Sequence, residues 1–154
     1  MKVYKFGGAS VKDAAGVRNL LDIVKEEKEL FIIVSAMGKT TNALEGVFQA
    51  MQLSDEKLAM ERIDSSYAYH RGIIDDLMGA DITIEQVDTL FEQLRNTVRN
   101  TIYRPSDAEL WYDTIVAFGE LISTTIISNY LRGHGVENRW VDMRRAFLTE
   151  QRHK

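Results

Sequence analysis

"KVYKFGGASVKDA", residues 2–14, decides how the rest of the chain is read. Residues 3–6 alternate as in a short strand, two glycines follow, and Val11, Ala14, Ala15, Val17, Leu20, Leu21 and Val24 recur at helical spacing. Ser10 is the expected N-cap of that helix. "LFIIVS" at 30–35 is apolar on both faces, the pattern of a strand buried inside a parallel sheet. Strand, helix and strand in about 35 residues make a βαβ unit, so the expected class is α/β with a parallel sheet.

After the loop "AMGKTTN", Leu44, Val47, Phe48 and Met51 mark a second helix, with Thr40 or Thr41 as its expected cap. Residues 55–103 carry no strand pattern. Two stripes run there, one from Ala59 through Ile63, Tyr67, His70 and Ile74 to Leu77. The other runs from Val87 through Leu90, Phe91, Leu94 and Val98 to Ile102. Thr83 and Gln86 stand at capping-box spacing before the second, and "MGADIT" joins the two into an expected helical hairpin inserted in the α/β framework. Pro105 is expected to end the hairpin, and Ser106 with Glu109 to open a new helical region. Residues 115–131 are apolar almost all round, as in a buried helix. "RGHG" stops it, "RWVDM" at 139–143 reads as a further strand, and "RRAFLTEQRHK" is charged.

With 154 residues, 45% of them hydrophobic, the chain suffices for one compact domain burying roughly two-thirds of its unfolded surface. A net charge of -4 and a pI near 5.4 supply no broad cationic face, which excludes nucleic acid as an expected partner. The absence of cysteine excludes disulfides and thiolate metal sites, and the cytoplasm is the expected compartment. "LFIIV" is far shorter than the roughly 20 residues that cross a bilayer, so neither a membrane span nor an export signal is expected. His70, His134 and His153 are far apart, and Asp75, Asp76 and Asp113 read as solvated helix positions; no metal site is expected.

Gly7 and Gly8 permit a sharp turn that aims several N–H groups at one anion, with Lys5 at the strand end free to reach it. The alternative is a tight corner beside a solvated lysine. "GKTT" at 38–41 suggests a P-loop, but the required glycine five residues before Gly38 is Ile33, within a strand. Glu120 lies in an apolar run, where an unpaired carboxylate is costly. Either a protein Arg or Lys pairs with it, or a ligand's ammonium group does, with Ser123 and Thr124 on the same face.

Four stretches in order, "KFGGASV" at 5, "VSAMGKTTNAL" at 34, "FGELIS" at 118 and "RWVDMRRAFLT" at 139, resemble the aspartate kinases of the amino-acid kinase family. The resemblance implies an αβα sandwich and transfer of the γ-phosphoryl group of MgATP to the side chain of L-aspartate. The product is 4-phospho-L-aspartate, the first step toward lysine, threonine and methionine. It implies that Lys5 is catalytic, that Lys5, Gly7, Gly8 and Ser10 hold the phosphates, and that Ser35, Thr41 and Glu120 hold aspartate, Glu120 through the α-ammonium group. Ala9 departs from the threonine frequent in the family.

It also implies that residues 1–154 are the N-terminal portion of the catalytic domain. The nucleotide-binding half that mainly holds adenine and Mg2+, and the regulatory ACT modules, are absent. This chain alone is therefore expected to be inactive, and its parent to be a homo-oligomer, with fusion to homoserine dehydrogenase open. The competing readings are a kinase for glutamate or acetylglutamate, of which an N-acylated acceptor gives Glu120 no ammonium, and a non-catalytic ligand-binding or assembly module.

Overall fold

A computed structural model describes residues 1–145. β1 (Lys2–Phe6) and β2 (Leu30–Val34) pair in parallel, with Lys2 opposite Leu30 and Phe6 opposite Val34. α1 (Ala14–Val24) connects them. α2 (Thr40–Gln52), α3 (Glu56–Met78), α4 (Glu85–Arg99), α5 (Ala108–Val116) and α6 (Phe118–Gly133) follow. The class is the expected α/β with a parallel sheet, and the expected hairpin at 55–103 is α3 and α4.

Side chains on a strand alternate between faces, so the register divides the sheet. Tyr4, Phe6, Ile32 and Val34 pack toward the helical core. Val3 and Ile33, on the other face, are 57% and 43% exposed. This corrects the expectation that β2 is buried on both faces: the apolar run is there, but the described residues cover only one side of it.

The core lies among α2, α3, α4 and α6, around Leu44, Ile63, Phe91, Leu94, Ile122 and Ile126. Phe91 meets Tyr67 edge to face at 5.1 Å. The run Pro105–Gly133 is long and apolar enough to cross a membrane by composition, but 67% of its most apolar window is buried inside the fold. Its all-round apolarity thus has a packing explanation, because α6 is covered on most of its circumference.

Several local expectations are corrected. Ser10 lies within a 3-10 turn, Gly8–Val11, and Asp13 caps α1 by accepting from Gly16 N at 2.8 Å. Asp55 caps α3 in the same way, accepting from Leu58 N. The expected caps at Thr40 or Thr41, at Thr83 and at Ser106 make no capping bond: Lys39, Ile84 and Asp107 occupy the N-cap positions. α4 ends at Arg99, ahead of Pro105, which instead opens a 3-10 turn, Pro105–Asp107. Residues 139–143 form no strand. They run beside α6, held by Ser128 to Asn138 at 2.6 Å and by Trp140 Nε1 donating to Thr124 Oγ1 at 2.8 Å, and a 3-10 turn, Met143–Arg145, follows. A segment without a strand beside it has no ladder to join. The "AFLT" of the fourth motif, and His153, lie outside the described residues.

Candidate functional site

In a parallel sheet the loops leaving the carboxyl ends of the strands share one edge. Here those loops are physically joined. Ser35 N–H donates to Phe6 O at 3.0 Å and Gly38 N–H to Gly8 O at 2.9 Å, extending the ladder beyond both strands. α6 closes the third side: Ser123 Oγ donates to Ser35 O at 2.9 Å.

The two adjacent glycines differ. A Cβ on Gly8 would stand 2.6 Å from Ala36 O, so close approach of the two loops demands glycine there. Gly7 has φ -75° and ψ 165°, extended backbone open to any residue, and a Cβ there would meet nothing within 4 Å. The tight-corner reading therefore accounts for Gly8 and leaves Gly7 unexplained by the fold. Gly8 and Ala9 open the 3-10 turn, where N–H groups lack partners within the helix.

Lys5 is exposed, on the open face of the sheet beside Ile33. Ser10 is exposed and Ser35 and Thr41 half-buried. None of these four side chains has a hydrogen-bond or ion-pair partner among the described residues. Thr41 lies in the first turn of α2, whose free N–H groups and dipole make that helix end electropositive. Its neighbour Thr40 is consumed structurally, its hydroxyl donating to Met37 O at 2.6 Å.

Glu120 requires a correction. It is exposed, not buried. α5 gives way to α6 at Ala117, so Glu120 falls in the first turn of α6, on the side away from Gly119 and Leu121, which are buried. Gly119 lets that turn approach the loop after β2: a Cβ there would stand 2.8 Å from Ala36 Cβ. The helix dipole favours a carboxylate in this turn. Neither Arg nor Lys pairs with it among the described residues. Ser123 and Thr124 do not share its outlook, because both hydroxyls donate to the Glu120 carbonyl, at 3.2 and 2.6 Å. The structure thus brings Gly7, Gly8, Ser10 and Ser35 to the strand-end loops, Thr41 to the first turn of α2, Lys5 to the carboxyl end of β1, and Glu120 to the helix end against the same loops.

Lys39 and Lys12 escaped the sequence reading as members of this edge. Lys39 is the exposed residue at the α2 N-cap, and Lys12 follows the first turn, its Cβ 3.5 Å from where a Gly38 Cβ would be. The "GK" at 38–39 carried the signal, set aside with the P-loop.

Comparison with known proteins bears on the family and the fold. The chain is 26% identical over 151 residues to lysine-sensitive aspartokinase 3 of Escherichia coli, covering 97% of this chain and 32% of that protein. It is 28% identical over 152 residues to the chloroplastic bifunctional aspartokinase/homoserine dehydrogenase 2 of Arabidopsis thaliana, covering 95% and 16%. The crystal structure of E. coli aspartokinase III with lysine and aspartate superposes with a TM-score of 0.82 at 25% identity, over 99% of this chain and 33% of that one. The same enzyme with aspartate and ADP gives 0.77. The chain therefore spans about a third of the length of the E. coli relative. The pattern of the family described as "Amino acid kinase family" matches residues 1–154 from end to end, and on that match the chain belongs to the amino acid kinase family.

Proposed function

We propose that this chain is the N-terminal portion of the catalytic domain of an aspartate kinase, with α3 and α4 as its helical insertion, and that it contributes the phosphate turn and the acceptor loop. The whole enzyme transfers the γ-phosphoryl group of ATP to the side-chain carboxylate of L-aspartate, giving 4-phospho-L-aspartate and ADP. The observation that carries this reading is the concentration of unpartnered polar groups at the joined loops.

Phosphoryl transfer asks the protein mainly to position two anions and to neutralise charge. Lys5, without a carboxylate of its own, is free to neutralise the transferring group. Gly7, with space where a side chain would be, admits phosphate oxygens to the backbone donors of the turn, and Ser10 adds a hydroxyl. Ser35 and Thr41 offer hydroxyls to aspartate at the electropositive end of α2. Glu120, unpaired, receives its α-ammonium group. In this reading the Mg2+ that accompanies ATP is held mainly by the rest of the enzyme. Binding sites divided between this segment and the rest of the enzyme would leave this chain inactive alone.

The test is ADP release by the full-length protein with L-aspartate, L-glutamate or N-acetylglutamate. Release with aspartate alone, reduced about ten- to a hundredfold in kcat/KM by Glu120→Gln, is expected from loss of one charge-assisted hydrogen bond. Preference for the N-acylated acceptor moves the assignment to another kinase of the family. Absence of acceptor-dependent release leaves a ligand-binding or assembly module, a reading that the exposed face around Val3 and Ile33 would suit.

A further inference from the structure

The helical hairpin touches the site through two adjacent residues of α3. The Tyr69 hydroxyl donates to the backbone carbonyl of Lys12, 57 residues away at the end of the first turn. Its oxygen also stands 2.6 Å from where a Cβ on Gly38 would be, so the phenol fills the space beside the second loop. Gly38 has φ +55°, so the position excludes larger residues twice over, by backbone conformation and by Tyr69.

His70 is completely buried. Its Nδ1 stands 2.7 Å from the Ser66 carbonyl, an acceptor only, which places the proton on Nδ1 and leaves Nε2 with a lone pair. Nε2 points at Thr40 Oγ1, 3.4 Å away, whose proton is directed at Met37 O. With both protons so committed, Nε2 and Thr40 Oγ1 face each other as two acceptors, a packing contact and not a hydrogen bond. The two rings are themselves in edge contact at 5.1 Å, and Phe91 of α4 backs His70 at 5.6 Å. A residue serving only the helical core would keep its polar atoms within the hairpin, as His70 does by donating to Ser66; Tyr69 spends its hydroxyl on the first loop and fills the space beside the second.

We propose that Tyr69 is a positioning residue that sets the separation of the phosphate turn and the acceptor loop by bracing both, with the His70 ring packed behind it. This rests on the functional reading above. The Tyr69 hydroxyl is committed to the Lys12 carbonyl, so the residue acts through the backbone it holds. Misplacement of the reacting groups shows in kcat more than in KM.

The test separates the two claims by measuring both on the full-length protein. The Gly38 amide spans the loops through its bond to Gly8 O, and the Ser35 amide, bonded to Phe6 O, is the internal reference. In Tyr69→Phe, hydrogen exchange at Gly38 is expected to accelerate about five- to tenfold with Ser35 unchanged, the loss of one hydrogen bond acting on a local opening. With aspartate and ATP the same variant is expected to lose about tenfold in kcat with a smaller change in KM. Tyr69→Leu, which removes the ring beside Gly38 as well as the hydroxyl, is expected to accelerate Gly38 beyond Tyr69→Phe, again with Ser35 unchanged, and it decides the matter if Tyr69→Phe fails to fold. Gly38 and Ser35 exchanging in parallel in every variant would overturn the inference whether or not the protein is a kinase. An inactive wild type with Gly38 selectively loosened would overturn the kinase reading and keep the bracing role.

Discussion

The α3–α4 hairpin and the strand-end loops treat polar side chains in opposite ways. In the hairpin, Tyr67 donates to Asp88 at 2.9 Å, Arg71 to Asp75 at 2.8 Å and Arg95 to Asp64 at 3.1 Å. At the loops, Lys5, Ser10, Ser35, Thr41 and Glu120 make no such contacts among the described residues. Polar groups that find partners inside the fold hold it together. Groups left without partners at one edge, against a backbone tied down by Gly8, Gly38 and Gly119, are available to something else. The difference teaches where to look for chemistry in a fold rich in charge.

The comparison is broken most severely at the hairpin's centre. Phe91→Ala, at a fully buried ring, is expected to cost about 3–5 kcal/mol of stability, read as a lowered urea midpoint. At the site the signs should reverse: Lys5→Met is expected to lower kcat of the full-length enzyme by about 10²–10³ while leaving stability within about 0.5 kcal/mol. A comparable loss of stability would mean that Lys5 has a structural partner after all.

The glycine pair sharpens the contrast within two residues. Gly8→Ala is expected to cost about 1–3 kcal/mol, because its methyl would collide with a backbone carbonyl that the second loop cannot withdraw. Gly7→Ala is expected to change stability by less than about 1 kcal/mol, in the stabilising direction, and to weaken ATP binding of the full-length enzyme. Unfolding curves and nucleotide titrations on the two variants measure both. Equal destabilisation would return Gly7 to the tight-corner reading.

The smallest expected effect is in pH. Burial lowers the His70 pKa from its ordinary 6.5. The unfolded chain then binds the proton first, so His70 contributes stability that is present above pH 6.5 and is lost as pH falls below it toward the folded-state value. Glu27 acts with the same sign at lower pH: the hydrogen bond from Lys2, followed by that from Tyr4, holds its carboxyl below the usual range. Urea midpoints at pH 7.5 and 5.5 should fall more for wild type than for His70→Gln. An equal fall would show that carboxylates alone carry the acid sensitivity.

Much of this was legible in one dimension because it depends on local periodicity. The strand at 3–6, the helix after it, the apolar run at 30–34 and the two stripes of the hairpin each follow from spacing. The motif residues at 5–10, 35–41 and 120 could be named from their order along the chain. Caps were less legible, since Ser10, Thr83 and Ser106 are good capping residues by type but Asp13 and the backbone turns took those positions. The strand expected at 139–143 failed because a strand needs a neighbour, which spacing does not supply.

Sequence by itself determined most of the elements, the parallel pairing and most of the candidate residues, because periodicity, turn chemistry and motif order are properties of short stretches. Only the tertiary structure decided that Gly8 is packed and Gly7 open, that Glu120 faces outward at a helix end, and that Tyr69 reaches the loops. Each of those depends on which parts of the chain approach one another across 28 to 88 residues, and distance through space is not written in local spacing.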